Sequence, residues 1–415
     1  MCSIYGAFTQ EKDGIDPIVF EAVRQGAKDR GRDGGRKEYF ELEGDAYAVM
    51  GNWRATPTTE IGKAPLQPYG RIVHNGTIAN DKELGAKEGE VDSMVLDRIL
   101  NSDNIVKFRK SLYPIKGSYA VGMIGTDRVF LATNYKPIYV LKRGAAVYFS
   151  SMERHLLPVC ELGIRPQRVK PYSVLDLKSG LSVKIPRETQ DNKRALVIAS
   201  AGLDSTTAAY MLKSEGYEVS LLHFTYGCHA EAKETALVKK IGQDLNADVK
   251  ILPIDYSHFA GSSTLLNNDE DNIAEGISGA EFAHEWVPAR NLLMIANAVA
   301  YAEANGFTYV ALGNNLEEGG AYPDNEEEFT NLLDMALDYA VHDGGCVRLL
   351  APVGKLMKHE IVNQGLRLGI PYELTWSCYK SGEKHCGNCG PCFMRQTAFK
   401  RNYSHDPTLY EVFNQ

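Results

Sequence analysis

The segment ALVIASAGLDSTTAA (195–209) decides the fold of the second half of the chain. Its first five residues are apolar and predict a buried strand, and the stretch from about 205 to 215 predicts a helix. The turn between them can present backbone N–H groups and a helix N-terminus to a phosphate. No lysine follows the glycine, so the turn is not the common GxxxxGK[ST] loop. An ordinary strand-to-helix turn is the alternative.

The same alternation continues beyond this segment. EVSLLHF (218–224) precedes a predicted helix at about 230–245, and DVKILPI (248–254) predicts another strand. A long helix around 288–304 leads to the strand-like TYVALG (308–313). Strands that alternate with helices predict an α/β domain with a parallel, doubly wound sheet.

The first half has a different rhythm, with many short strands and few helical stretches, such as 16–29 and 92–101. This pattern predicts stacked antiparallel sheets with helices on their outer faces, an α+β fold. The polar segment PRETQDNK (186–193) predicts a linker between domains at 2–185 and 194–415. The predicted strands are DAYAVMGN (45–52), SYAVGMIG (118–125), RVFLAT (128–133), IYVLK (138–142), AAVYFSS (145–151) and YSVLDL (172–177).

Bulk properties agree with a two-domain globular protein. The chain has 415 residues, of which 44% are hydrophobic and 24% charged, and no apolar run approaches the ~18 residues of a membrane span. The net charge of −8 argues against a broad nucleic-acid surface without excluding a local one. Eight cysteines are too few for a disulfide scaffold, which favours a reducing, cytoplasmic location.

Four of these cysteines form a cluster in SCYKSGEKHCGNCGPC (377–392). They are separated by seven, two and two residues, and a CxxC turn brings two thiolates to one ion. Four soft ligands in a tetrahedral arrangement favour zinc, and a closed four-thiolate site is structural rather than catalytic. An iron–sulfur cluster is the alternative. The predicted ligands are Cys378, Cys386, Cys389 and Cys392.

The chain begins MCSIYGAF (1–8), with a cysteine directly after the initiator methionine. The stretch has no basic and no long apolar region, so we do not expect a secretory signal. Once Met1 is removed, Cys2 carries both a thiol and an α-amine, which titrates near ~8 and can act as the base for its own side chain. The alternative is a small residue in a buried strand.

Other residues of the first half could complete an amide-cleaving site. In HNGT (74–77) the Asn75 side chain and the Gly76 backbone N–H could donate to an oxyanion. Arg54 suits the α-carboxylate of an amino acid, and Asp92 suits its ammonium group. Taken singly, these features also fit a hairpin turn, a surface ion pair and a helix cap.

Several segments of the first half, taken together and in their order along the chain, resemble a class II glutamine amidotransferase domain. This domain has the N-terminal-nucleophile hydrolase fold with αββα layers. The resemblance covers about 2–180. It implies that Cys2 is the nucleophile, that Asn75 and Gly76 form the oxyanion hole, and that Arg54 and Asp92 bind glutamine. Arg32 stands where the family usually has proline. The matching segments are MCSIYGAF, RGRDGG (30–35), WRATP (53–57), HNGTIAN (74–80), VDSMVL (91–96), KGSYAV (116–121) and YFSS (148–151).

SAGLDSTTAA (200–209) resembles the pyrophosphate loop of N-type ATP pyrophosphatases, which usually reads SGGxDS. The resemblance implies ATP with Mg²⁺ as substrate, and Ala201 replaces the first glycine of the pattern. The matching residues, implied to bind ATP, are Ser200, Gly202, Asp204, Ser205 and Thr206.

The whole second half resembles the QueC family, which converts 7-carboxy-7-deazaguanine to 7-cyano-7-deazaguanine through an acyl-adenylate and an amide. The resemblance implies a place near the phosphates for Lys358, although a surface lysine is the alternative. Residues implied to lie near the nucleotide or the deazaguanine are Arg290, Asn291, Tyr322 and Asp324. The sequence departs at YGCHAE, where the family commonly reads YGQRH. The matching segments are SAGLDSTTAAY, HFTYGCHAE (223–231), WVPARN (286–291), LGNN (312–315), GAYPDNEEEF (320–329), LMKHEIV (356–362) and the cysteine cluster.

The complete chain therefore resembles a Gat-QueC fusion. Three functions stay open: a synthase that makes the nitrile with nitrogen from glutamine, an enzyme that forms an amidine on the free base or in nucleic acid, and a non-catalytic nucleotide-binding zinc module. The intact loop favours the first, because a carboxylate needs activation by ATP. The expected partners are glutamine, ATP and a 7-deazaguanine, with no membrane and a homo-oligomeric assembly.

Overall fold

The computed structural model describes residues 2–55, 65–186, 192–266, 270–281, 284–342 and 346–412. The chain divides into two compact units, Met1–Glu188 and Thr189–Gln415. Most of the segment predicted as a linker, residues 187–191, lies outside the described residues. No helix among the described residues combines the length and apolar composition that a membrane crossing requires.

The described residues of the first unit form two antiparallel sheets and three α-helices. One sheet has the strand order β2-β3-β1-β8-β7-β9, and the other has the order β11-β10-β6-β5-β4. The helices are α1 (Pro17–Ala27), α2 (Val95–Ile99) and α3 (Ile105–Ser111). The strands are β1 (Ser3–Thr9), β2 (Gly34–Glu41), β3 (Tyr47–Arg54), β4 (Ile72–Ile78), β5 (Gly117–Ile124), β6 (Val129–Thr133), β7 (Tyr139–Arg143), β8 (Ala146–Ser150), β9 (Gln167–Arg168), β10 (Ser173–Asp176) and β11 (Ser182–Lys184).

These elements form four layers with three apolar interfaces. Ile4 and Met50 of the first sheet pack with Leu131 of the second sheet, in the cluster between the sheets. Phe20 of α1 belongs to the cluster on the outer face of the first sheet, and Phe108 of α3 belongs to the cluster on the outer face of the second. The predicted stacking of antiparallel sheets beneath outer helices is confirmed.

The helix predicted at 92–101 is shorter in the structure. A 3-10 turn occupies Asp92–Met94, and α2 covers only Val95–Ile99. The turn is held by the Asp92 carboxylate, which accepts hydrogen bonds from the backbone N–H groups of Ser93 and Ile78, both at 2.7 Å. Local side-chain bonding of this kind competes with helical hydrogen bonding.

The second unit is a parallel sheet with helices on both faces, as predicted. The strand order is β14-β13-β12-β15-β16, and all neighbours are parallel. The strands are β12 (Arg194–Ile198), β13 (Glu218–Thr225), β14 (Val249–Pro253), β15 (Tyr309–Ala311) and β16 (Arg348–Leu350). The helices are α4 (Leu203–Ser214), α5 (Glu231–Leu245), α6 (Gly276–Glu281), α7 (Arg290–Ala304), α8 (Leu316–Gly319), α9 (Glu327–Ala340), α10 (Lys358–Leu368) and α11 (Gly390–Arg401).

Alternate residues of the central strand β12 serve opposite faces of the sheet. Val197 packs in a cluster with Val238 of α5, whereas Leu196 packs in another with Ala298 of α7. From β12 the chain winds first towards β14 and later, through β15, towards β16. This reversal makes a topological switch point between β12 and β15, where open α/β sheets bind ligands at the carboxyl ends of their strands.

Candidate active sites

Cys2 lies at the entry of β1, in the middle of the first sheet. Its neighbour Ser3 pairs with Trp53 of β3, and the Cys2 Sγ accepts a hydrogen bond from the Ala55 N–H at 3.4 Å. The side chain is partly exposed. The thiol is therefore held at the end of a central strand and is accessible, as a nucleophile must be.

Two cations lie within electrostatic range of Cys2. Burial lowers the pKa of both Arg30 and Lys136, and the thiol group of Cys2 acts in the opposite direction on each pKa. They bring positive charge to the region where an attacking sulfur would carry negative charge. Sequence reasoning assigned neither residue, although Arg30 opens the quoted RGRDGG segment.

Asn75 and Gly76 lie on β4, in the second sheet. Asn75 is 2% exposed, and its Nδ2 has no hydrogen-bond partner among the described residues. A Cβ on Gly76 would come within 1.9 Å of the Ser118 carbonyl oxygen, so only glycine fits there. The Asn52 side chain donates to the His74 carbonyl at 3.3 Å. That bond joins the two sheets one residue from Asn75, and the orphan amide donor suits an oxyanion.

The two predicted glutamine-binding residues differ in their surroundings. Arg54 is 8% exposed and its Nη1 donates to the Tyr69 hydroxyl at 3.4 Å. The carboxylate of Asp92 holds the turn after β4, as described above. Because a carboxylate offers about four lone-pair sites, this local role leaves Asp92 able to accept from a ligand ammonium group. Burial lowers the pKa of His74, on β4, to about 4, so this imidazole is neutral.

In the second unit, a cavity of about 250 Å³ lies at the carboxyl ends of β12, β13 and β15. Five of the predicted residues of the loop and its surroundings contribute polar groups to it. These are Ser200, Gly202, Asp204, Ser205 and Lys358. Thr206, the remaining loop residue that we predicted to bind ATP, is buried and is not among the lining residues.

Ala201 explains why a glycine is usual at its position. Its φ is +59°, the left-handed conformation, which costs a residue with a Cβ roughly 1–2 kcal/mol. The loop is held by hydrogen bonds from the Ser200 N–H to the Ser205 hydroxyl at 3.2 Å and from the Trp376 N–H to the Ala201 carbonyl at 2.8 Å. The substitution of glycine by alanine therefore adds backbone strain to the loop.

Lys358 is a buried ion-pair residue and not a surface lysine. Its Nζ lies 2.6 Å from both the Asp204 and the Glu318 carboxylates, and these partners raise its pKa above the usual range. Burial raises the pKa of Asp204 to about 6. Asp204 Oδ1 has no hydrogen-bond partner among the described residues. Two carboxylates, one of which has an oxygen without a partner, suit Mg²⁺, which prefers oxygen ligands.

The predicted substrate residues are divided. Arg290 and Asn291, in the first turn of α7, line the cavity, and Arg290 Nη1 donates to the Tyr226 hydroxyl at 3.2 Å. Tyr322 and Asp324 are not among the lining residues; Asn325 is. The Tyr322 ring stacks on Trp286, with centroids 6.4 Å apart. Asp324 still acts electrostatically on Arg290.

The four cysteines of the cluster come together and are all buried, with their sulfurs within 4.8 Å of one another. Two sulfur pairs are 3.9 and 4.0 Å apart, close to the roughly 3.8 Å edge of a tetrahedron with ~2.3 Å zinc–sulfur bonds. The backbone N–H groups of Lys380 and Cys389 donate to cluster sulfurs. The residues present therefore fit one metal ion such as zinc.

The cluster also belongs to the cavity wall and to the core. Its sulfurs pack with Val197 and Trp376 in one apolar cluster. Residues close to the cysteines in sequence line the cavity; these are Trp376, Ser377, Tyr379 and Pro391. A metal here would hold the segment that closes one side of the site.

Sequence reasoning missed several cavity residues. Glu318 follows the quoted LGNN segment, and Tyr226, Cys228 and Glu234 follow β13. Burial raises the pKa of Cys228 to about 12, so it is an unreactive thiol at neutral pH. Only the position of Tyr226 and Cys228 after a strand gave a signal, because cavity walls form from residues distant in sequence.

Gly313 permits the closest approach in the site. A Cβ on it would lie 2.8 Å from the Ser205 backbone nitrogen, so we expect Gly313→Ala to displace the start of α4. Overpacking of this kind costs about 1–3 kcal/mol, and we expect release of pyrophosphate to fall at least about tenfold. Gly320→Ala is the matched control, because the added Cβ would lie 3.6 Å from the Glu317 carbonyl oxygen and the φ of Gly320 is −66°. Equal activity of both variants would contradict this account of the loop.

Comparison with known proteins gives a family. The family model described as queuosine biosynthesis protein QueC matches residues 194–403. A 7-cyano-7-deazaguanine synthase from Sulfolobus acidocaldarius is 43% identical over 91% of this chain and 87% of its own length. A 7-cyano-7-deazaguanine synthase 2 from Sulfurisphaera tokodaii is 40% identical over 99% of this chain and all of its own.

Other matches differ in extent. A 7-cyano-7-deazaguanine synthase from Sulfurimonas denitrificans is 36% identical over 53% of this chain but 98% of its own length. Among solved structures, the glutamine PRPP amidotransferase from B. subtilis, complexed with ADP and GMP, is 13% identical to this chain. The match covers all of this chain and 99% of the other, with a TM-score of 0.34. The match of one family model to half of the chain and of long relatives to nearly all of it shows that the chain belongs to the QueC family and is an ATP-dependent enzyme of the ligase type.

Proposed function

We propose that this enzyme converts 7-carboxy-7-deazaguanine to 7-cyano-7-deazaguanine with ATP, and that its first unit supplies the nitrogen from glutamine. The observation that carries the proposal is the cavity at the switch point of the second unit. There the loop after β12 meets the Lys358 ion pairs and the first turn of α7. The names of relatives that match both units support the choice of substrate and product.

The chemistry needs activation because a carboxylate is a poor electrophile. Its oxygen attacks the α-phosphorus of ATP, forming an acyl-adenylate and releasing pyrophosphate. Ammonia then displaces AMP to give the amide. Attack of the amide oxygen on the α-phosphorus of a second ATP releases a second pyrophosphate, and loss of AMP and two protons then leaves the nitrile.

The residues of the second unit would divide these tasks. The backbone N–H groups after Ser200 and the N-terminus of α4 would hold phosphate oxygens. Lys358 would keep Asp204 and Glu318 ionised and in place, and the two carboxylates would hold the magnesium ion that accompanies ATP. Zinc at the four cysteines would stabilise the cavity wall and take no part in the reaction.

The first unit would perform amide hydrolysis. The Cys2 sulfur attacks the side-chain carbonyl of glutamine as its own α-amine takes the thiol proton, and the resulting ammonium group passes that proton to the leaving ammonia. Asn75 Nδ2 and the Gly76 N–H stabilise the oxyanion, and Arg54 and Asp92 hold the α-carboxylate and ammonium groups of glutamine. Water then hydrolyses the thioester to glutamate.

A fused glutaminase suits this synthase because free ammonia is mostly protonated at neutral pH, and ammonium is not a nucleophile. Hydrolysis of glutamine within the protein releases neutral ammonia. The alignment of a shorter relative with only about half of the chain supports the view that the first unit adds a nitrogen source to a synthase that can exist alone.

The test is to supply 7-carboxy-7-deazaguanine, ATP and glutamine labelled with ¹⁵N in its side-chain amide, in the presence of unlabelled ammonium ions. We expect the nitrile to be heavier by one mass unit, with release of AMP and pyrophosphate. Unlabelled nitrile would refute the use of glutamine, and absence of any product would refute the synthase. An amidine with two labelled nitrogens would instead identify the nitrile as an intermediate.

A further inference from the structure

Glu234 is a charged residue on the buried face of α5. It precedes Leu237, Val238 and Ile241 by three, four and seven residues, the spacing of one helix face. Those three side chains are buried. Glu234 continues their stripe at the N-terminal end of the helix, where it lines the cavity.

The carboxylate of Glu234 makes no hydrogen bond and no ion pair within the described part of the chain. Burial raises its pKa to about 7. Glu231, one turn earlier on the same helix, is hydrogen-bonded by contrast. Its Oε2 accepts from the backbone N–H groups of Tyr226 and Gly227 at 2.6 Å each. The Glu234 side chain is only partly exposed, and a partly desolvated acceptor without a partner costs free energy unless a ligand supplies donors.

Arg290 faces the same cavity from the first turn of α7. It attracts the Glu234 carboxylate electrostatically, but no salt bridge joins the two side chains among the described residues. The guanidinium instead donates to the Tyr226 hydroxyl. A donor and an acceptor therefore line one cavity without satisfying each other.

We propose that Glu234 and Arg290 read the amino-pyrimidinone edge of the 7-deazaguanine, an inference that rests on the proposed function. This edge presents the O6 acceptor next to two donors, N1–H and the 2-amino group. The two oxygens of Glu234 accept from N1–H and the amino group, and Arg290 donates to O6. A 7-deazapurine lacks the N7 acceptor, so this edge provides its polar recognition and leaves the 7-carboxylate free to face the phosphate loop.

The charge state of Glu234 gives the pairing a pH dependence. Only the ionised carboxylate accepts both donors, so affinity for the base is highest above pH 7 and falls as the pH drops through about 7. The other charged groups that face Glu234 are Arg290, which favours the ionised form, and Glu231, which opposes it. A glutamine side chain at 234 has one acceptor and no titration in this range.

The experiment measures steady-state kinetics of the full chain, wild type and Glu234→Gln, with 7-carboxy-7-deazaguanine and with its analogue that lacks the 2-amino group. A bidentate pair discriminates by about 5- to 150-fold. We expect wild type to prefer the natural base by at least about tenfold in kcat/KM, and Glu234→Gln to lose most of that preference. The KM for the base should rise about tenfold or more in the variant, with the KM for ATP within about twofold.

The control is Glu215→Gln, an exposed glutamate after α4, which should behave as wild type. Wild-type turnover reports on the proposed function by itself, and the difference between wild type and variant reports on Glu234. Retained preference in a folded Glu234→Gln protein, or a rise in the KM for ATP instead, would overturn the inference. If the glutamine variant is unstable, Glu234→Asp keeps the charge, and a normal preference with an unchanged KM would also overturn it.

Discussion

Replacing Cys2 with alanine should abolish product formation from glutamine, by at least about a thousandfold, because no other group can form the thioester. The loss should be confined to glutamine, since the phosphate loop lies more than 190 residues away in a separate unit. Ammonium chloride at high pH should restore nitrile formation, because it supplies neutral ammonia to the intact adenylating site. Glutamate release and product formation are measured side by side.

Two further variants sharpen this test. Cys160→Ala removes another partly buried thiol of the first unit, and we expect it to leave glutamine hydrolysis unchanged. Asp204→Asn should show the reverse pattern, with loss of pyrophosphate release and measurable basal hydrolysis of glutamine. A Cys2→Ala protein that consumes glutamine at the wild-type rate would show that the glutaminase assignment is wrong.

The architecture was predictable because it depends on local patterns. Alternating strands and helices between residues 195 and 313 identified the parallel sheet, and runs of short strands identified the antiparallel ones. The boundary of a predicted helix was less certain where a side chain competes with the backbone for hydrogen bonds. Asp92 is the example, since its hydrogen bonds convert the start of a predicted helix into a 3-10 turn.

Residue spacing alone predicted the site only where its residues share a segment, whereas the family resemblance indicated Arg290, Asn291 and Lys358. The loop after β12 and the cysteine cluster are contiguous, so their spacing indicated their chemistry. The site roles of Glu318 and Glu234 depend on Lys358 and Arg290, which lie 40 and 56 positions further along the chain. Tyr322 and Asp324 show the converse, because they belong to a matched segment and yet are not among the residues that line the cavity.

Replacing Cys389 with serine should have the largest effect on stability. Structural zinc with thiolate ligands contributes on the order of 10 kcal/mol of apparent folding free energy, comparable to the 5–15 kcal/mol that a whole domain has. Cys389 is fully buried in the core cluster that contains Val197 and Trp376. We expect the variant to be insoluble or to unfold far below wild type, as measured by thermal melting and by metal content.

Cys346→Ser is the matched control, because Cys346 is partly exposed and lies outside the cluster. It should melt as wild type and contain about one zinc per chain, whereas soluble Cys389→Ser should contain less. Because Ser377 and Tyr379 flank the ligand Cys378 and line the cavity, partial loss of metal should weaken ATP-dependent turnover before the protein unfolds. Active protein without metal, or with iron and sulfide, would contradict a structural zinc site and would require another means of holding this cavity wall.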